Sequence, residues 1–178
     1  MKNLFTKSTL FLAAGIVFAV LTPLFGISQI VSAPGGGLWT NGSTWVGGIV
    51  PGAADNVVIS STVYANGNVC NNLQVNAGAV LQNYNAYTYN LTVNGDLINY
   101  GTISNNSSYS LNLYVRKNIT NTGTISNYLV GITGVQNQFI SSIQAIGVNI
   151  FQRSAAAGRL IATSNLSFNN TNIDFGND

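Results

Sequence analysis

At 178 residues, with 6% charged positions and a formal net charge of +2, the chain falls far below the about 25% charge of an ordinary soluble domain. Lys2 and Lys7 account for the excess: beyond residue 28, Arg116, Lys117, Arg153 and Arg159 are balanced by Asp55, Asp96, Asp174 and Asp178. Such a composition predicts no basic surface for nucleic acid, and the lack of histidine and glutamate excludes His-based metal sets and Ser-His or Cys-His nucleophile pairs.

The amino terminus reads as a targeting signal. Lys2 and Lys7 supply a positive start, residues 10–21 an apolar run, and Pro23 breaks it. Small residues offer a cut after Ser28 or after Ala33; Pro34 follows Ala33, so the cut after Ser28 is favoured and residues 1–28 are predicted to be a signal peptide. An uncleaved anchor is the competing reading, since residues 10–31 are mostly apolar and about 18 such residues can span a bilayer. Membrane contact is expected only through this segment.

Residues 29–37 contain Pro34-Gly-Gly-Gly37 and are expected to form a flexible joint. Residues 38–60 are expected to be the N-terminal cap of a repeat fold. Trp39 and Trp45 lie six apart, followed by a Gly-rich turn, Pro51-Gly52, Asp55 and a Val57–Ile59 strand. The first coil of a solenoid has an open core and unpaired edges. Two indoles can close the first, and an irregular segment can cover the second.

Strand candidates then follow at 57–63, 69–75, 79–81, 89–93, 102–104, 111–115 and 124–126, each apolar or alternating and rich in β-branched residues. Asn-Gly and Asn-x-Gly turns punctuate them, read as positions that tolerate positive φ. Residues 91–104 read almost onto 113–126, with Leu, Val, Asn, Gly, Thr, Ile and Ser in matching places 22 residues apart. A strand–turn–strand–turn unit at a fixed interval predicts an all-β parallel β-solenoid, with coils over 61–178 and Leu91 above Leu113. Uncharged amides and hydroxyls suit this fold, because stacked identical amides hydrogen-bond while stacked identical charges repel. After Val130 the repeat degrades. Two readings stay open: a piece of a longer protein, or a last coil left open to receive another subunit.

Few side chains carry chemistry. Asp55 and Asp96 are 41 residues apart, whereas glycan-cleaving sites need clustered carboxylates; both aspartates are expected to bond backbone N–H groups in their own turns. No catalytic residue, metal site or cofactor is therefore expected. Arg116-Lys117 takes the place of Asn94-Gly95 in the repeat and reads as a solvated turn. Cys70 is the one cysteine, expected to be a small buried thiol, with an intermolecular bridge as the alternative. Tyr84, Tyr87, Tyr89, Tyr100, Tyr109 and Tyr114 are the candidate ligand-binding residues. Lined up on one flank they would stack on sugar rings or meet a partner protein; the competing reading has them packed on one another.

Trp39, Trp45, Pro51, Gly52, Asp55, Val57 and Ile59 resemble the opening of large secreted surface proteins of the Bacteroidetes and the start of G8-type domains. The stretch from Asn94 to Ile103 is similar to the repeats that follow in such proteins. The resemblance implies a right-handed parallel β-helix and export across the inner membrane. The function expected is a non-catalytic, exported structural or adhesin-like solenoid at the cell surface. The alternatives are a carbohydrate-binding module using the tyrosine flank and a subunit that polymerises end to end; partners would be glycans or another surface protein.

Overall fold

The computed structural model describes residues 29–85, 87–106, 108–154, 158–169 and 171–174. The expected signal-peptide helix lies outside the described residues. In chain order the strands are β1 (Gln29–Val31), β2 (Gly37–Leu38), β3 (Asn56–Ile59), β4 (Thr62–Ala65), β5 (Asn68–Cys70) and β6 (Leu73–Val75). Then come β7 (Val80–Asn83), β8 (Tyr89–Val93), β9 (Leu97–Asn99), β10 (Thr102–Ser104), β11 (Leu111–Val115) and β12 (Ile119–Asn121). The last are β13 (Thr124–Ser126), β14 (Leu129–Ile132), β15 (Gln138–Ser142), β16 (Ile150–Arg153), β17 (Leu160–Ala162) and β18 (Asn172–Asp174). A single 3-10 turn, Gly42–Thr44, is the only helical element among the described residues.

From β3 to β15 strands three apart in sequence stack, and at both ends strands two apart do, which produces a right-handed parallel β-solenoid with three faces. The first face is β1-β3-β6-β9-β12-β15-β17, the second β2-β4-β7-β10-β13, and the third β5-β8-β11-β14-β16-β18. Parallel bridges from Ile125 to Ile146 and from Ile146 to Phe168 carry the second face on through the last coils. Leu91 pairs directly with Leu113, so the 22-residue repeat is one coil. The sequence candidates at 57–63 and 69–75 are each two strands, broken at corners by Ser60-Ser61 and Asn71-Asn72.

The period-2 alternation of short strands explains the core. Val57, Leu73, Leu97, Ile119 and Ile140 form one inward column. Val63, Leu81, Ile103 and Ile125 form a second, and Leu91, Leu113, Val130 and Phe151 a third. All are buried, and burying each aliphatic side chain stabilises the fold by roughly 1.5–3 kcal/mol before entropy is counted.

Amide ladders run beside these columns. On the first face the inward column changes from Ile59 and Val75 to Asn99, Asn121 and Ser142. Asn99 Nδ2 donates to Asn121 Oδ1 at 2.7 Å, and Asn121 Nδ2 donates to Ser142 Oγ at 2.9 Å. Asn99 also accepts from Gly101 N and donates to Thr124 O. Gly67 and Gly78 adopt the positive φ read from their Asn-Gly and Asn-Ala-Gly turns. The glycines of Asn99-Tyr-Gly101 and Asn121-Thr-Gly123 do not; they are needed because a Cβ there would overlap backbone oxygens of the preceding layer.

Residues 29–37 are not a joint. Strand β1 pairs with β3 over Gln29–Asn56, Ile30–Val57 and Val31–Val58, and Gly37–Leu38 pairs with β4. The outer edge of β1 is covered. Trp45 bridges Ser32 in antiparallel sense, with Val46 N donating to Val31 O and Ala33 N to Thr44 O. Trp39 and Trp45 are buried beneath this segment, their rings 5.0 Å apart and edge-to-face. Trp45 Nε1 donates to Trp39 O at 2.7 Å, and Trp39 Nε1 to the carbonyl of buried Pro51.

Asn121→Ala removes the middle rung of the buried ladder and leaves its neighbours short of partners. It is expected to lower unfolding stability by about 1–3 kcal/mol, whereas Thr120→Ala, on the exposed side of the same strand, stays within about 0.5 kcal/mol. Urea unfolding of the two variants checks this.

Candidate functional site

The six candidate tyrosines do not form one flank. Tyr87, Tyr89 and Tyr109 gather at the corner leading into the third face, with Tyr87 centred 6.2 Å from Tyr89 and 6.5 Å from Tyr109. Tyr87 is 65% exposed. Tyr84 packs edge-to-face on Tyr64 at 6.3 Å. Tyr100 stands exposed at the corner after β9. Tyr114 points outward from the third face beside Gly131, where a Cβ would come within 2.6 Å of its ring. The alternation of strands explains the scatter: Tyr89 shares the inward register of Leu91, and Tyr114 the outward register of Thr92.

Asp55 and Asp96 both accept hydrogen bonds from backbone N–H groups. Asp55 Oδ2 accepts from Gly52 N at 2.8 Å, closing its own turn as expected. Asp96 acts between layers instead. Its Oδ1 accepts both the backbone N–H and the side-chain amide of Asn118, one coil on. It occupies a rung of a second ladder in which Asn72 Oδ1 accepts from Asp96 N and Asn118 Oδ1 from Phe139 N. No group of three or more potential metal-ligating side chains occurs among the described residues.

Charge has a pattern that one-dimensional reading missed. Asp55, Asp96, Arg116, Lys117, Arg153, Arg159 and Asp174 are all the charged side chains among the described residues, and each lies in or beside the corner joining the third face to the first. The expectation of no basic concentration is amended accordingly: the four cations share one edge of the prism. No two successive turns on that edge carry the same sign. The neutral turn 71–72 separates Asp55 from Asp96, and the neutral turn 133–137 separates Arg116-Lys117 from the Arg153–Arg159 turn.

This edge also widens. Its turns grow from two residues at 71–72 to three at 94–96 and 116–118, then to five at 133–137. A groove of about 570 Å³ lies between this longer loop and the preceding turn, lined by Arg116, Lys117, Asn118, Val135, Gln136 and Phe139 among others. Buried Gln138 fixes the loop from beneath. It accepts from Gly134 N and donates to the carbonyls of Val115 and Lys117. Only glycine fits at 134, because a Cβ there would overlap the Arg116 carbonyl. The solvated-turn reading of Arg116-Lys117 holds for exposure but missed the groove. The available signal was the loss of repeat after Val130, which marks the first long turn.

No family model, curated protein or solved structure matches this chain. The class that the geometry defines is therefore the fold itself, an all-β parallel solenoid whose charged side chains, among the described residues, lie on a single edge.

Cys70 is fully buried on the inward side of the third face, and desolvation pushes its thiol from 9.0 up to about 12. Above pH 9 the unfolded chain releases this proton while the folded chain retains it, so this group's contribution to stability falls as pH rises from 9 toward 12. A thiol reagent at pH 8 is expected to leave Cys70 unmodified in the folded protein and to react fully in denaturant. Modification under native conditions would contradict the burial.

Proposed function

We propose that this chain is a non-catalytic, exported β-solenoid that serves as a rigid structural or adhesin-like segment at the cell surface. The observation that carries the reading is the state of the carboxylates. Asp55 and Asp96 are on different layers and each is engaged by backbone N–H groups, so these two carboxylates do not form a pair for acid–base work. Seven layers on the first face, at about 4.8 Å per step, give a block roughly 29 Å tall whose ladders oppose bending.

Export is supported by the charge and hydropathy of residues 1–28, and by the position of β1. A cut after Ser28 leaves Gln29–Val31 whole, whereas a cut after Ala33 would delete a strand paired with β3. The order Trp39, Trp45, Pro51, Gly52 and Asp55 supports kinship with the secreted surface proteins of the Bacteroidetes. In this reading the two indoles plug the first coil, and residues 44–46 blunt its edge against further strand addition.

Glycan binding through tyrosines is the second reading, favoured only at Tyr87, Tyr89 and Tyr109, where three rings meet and one is well exposed. Head-to-tail polymerisation is disfavoured by the antiparallel cover on β1.

Expressed with its leader in a bacterium, the protein is expected outside the inner membrane with Gln29 as its first residue. Incubated with a panel of neutral and acidic polysaccharides, it is expected to leave their chain lengths unchanged. Cleavage that disappears in Asp96→Asn would overturn the non-catalytic reading, and retention of residues 1–28 would overturn export by cleavage.

A further inference from the structure

The groove on the charged edge carries features that the fold does not require. Arg116 and Lys117 are exposed, and neither has an ion-pair partner among the described residues. Phe139 is 46% exposed and Val135 73% exposed, giving the groove an apolar wall in a chain whose other outward positions are mostly amide and hydroxyl. The Asn137 amide spends its oxygen on Arg159 N, leaving Nδ2 to donate. Gln138 and the close approach of Gly134 to the Arg116 turn hold the backbone of the two turns that carry these groups.

We propose that this groove binds an acidic glycan, a sugar chain whose rings carry carboxylate or sulfate ester groups. Each part of the groove matches one part of such a ligand. Arg116 and Lys117 take the anionic substituent, Arg in the bidentate geometry that suits carboxylate and sulfate. Phe139 offers a face for the apolar C–H surface of a sugar ring, and the exposed Gln136 and Asn137 amides meet ring hydroxyls. The volume falls within the about 300–1,000 Å³ range of ligand sites. Nucleic acid fits less well. A tight phosphate-tracking surface uses roughly 6–10 phosphate contacts, whereas this groove has two free cations with Asp96 on the preceding turn of the same edge. The inference adds a ligand to the scaffold and stands apart from the tyrosine corner.

The test uses the full mature chain and calorimetry with four probes: an oligogalacturonate, its fully methyl-esterified form, a sulfated galactan oligosaccharide and a single-stranded oligonucleotide. The oligogalacturonate or the sulfated probe is expected to bind, and whichever binds more tightly identifies the anion. The methyl ester, with the same rings and no charge, is expected to bind at least about tenfold more weakly than the acid. The double variant Arg116→Gln/Lys117→Gln and the single variant Phe139→Ala are each expected to weaken binding about tenfold, with Thr102→Ala, on the second face, unchanged. Equal binding of acid and ester, binding insensitive to the groove variants, tighter binding of the oligonucleotide, or no binding to either acidic probe would each overturn the proposal. Probe mass is read after incubation: an intact probe keeps the non-catalytic reading, and a shortened one refutes that reading alone.

Discussion

Stacking in register is the constraint on which the rest of the molecule depends. Parallel strands about 4.8 Å apart place each side chain directly over its counterpart in the next coil. An aliphatic column gains burial and an amide column gains a hydrogen bond per layer, but a charged column would accumulate repulsion. The composition follows from this. Strand positions are aliphatic, amide or hydroxyl almost throughout, and among the described residues charge is confined to one edge, where turn length can vary and a neutral turn can separate two of like sign. Asp96 is instructive: it occupies an asparagine rung, and its neighbours Asn72 and Asn118 present a side-chain acceptor to its backbone and donors to its carboxylate.

The same constraint makes the ends of the stack the places where special chemistry is needed. At the first coil the answer is local. Trp39 and Trp45 fill the space below the aliphatic columns, and an antiparallel segment occupies the edge that a parallel strand would otherwise extend. That segment is short and irregular, and its tip carries exposed Val46 and Ile49. At the last described coil, Leu160, Leu166 and Phe168 are only partly buried against the core.

Much of the architecture was legible in the sequence, because periodicity is a local signal. The 91–104 and 113–126 segments differ at several positions yet keep the inward ones apolar or amide, with Leu97 over Ile119 the one inward exchange, which is why Leu91 lies over Leu113. The corners were harder to read. Runs such as 57–63 look like one strand because Ser60-Ser61 is a bend that needs neither Gly nor Pro. The joint expected at 34–37 failed because glycines there serve close packing: Gly36 has φ +58, and a Cβ on it would overlap the Thr62 carbonyl. The site was least legible. Six tyrosines close in sequence scatter over corners and faces, since alternation and coil length decide which side each takes. Arg116 and Phe139 become neighbours of one groove only through stacking, and no spacing rule in one dimension marks that.

The central claim, that successive chain segments lie as adjacent layers, is tested most directly by cross-linking across one layer. Asn90 and Asn112 face outward as paired residues on neighbouring strands of the third face, with their amides 3.0 Å apart. The separation of paired strands suits a disulfide, whose Cα atoms stand about 4.4–6.8 Å apart. In a Cys70→Ala background, Asn90→Cys/Asn112→Cys is predicted to close an intramolecular disulfide under mild oxidation while the protein stays folded and monomeric. Free thiols that persist, or bonds that form only between molecules, would contradict the stacked arrangement.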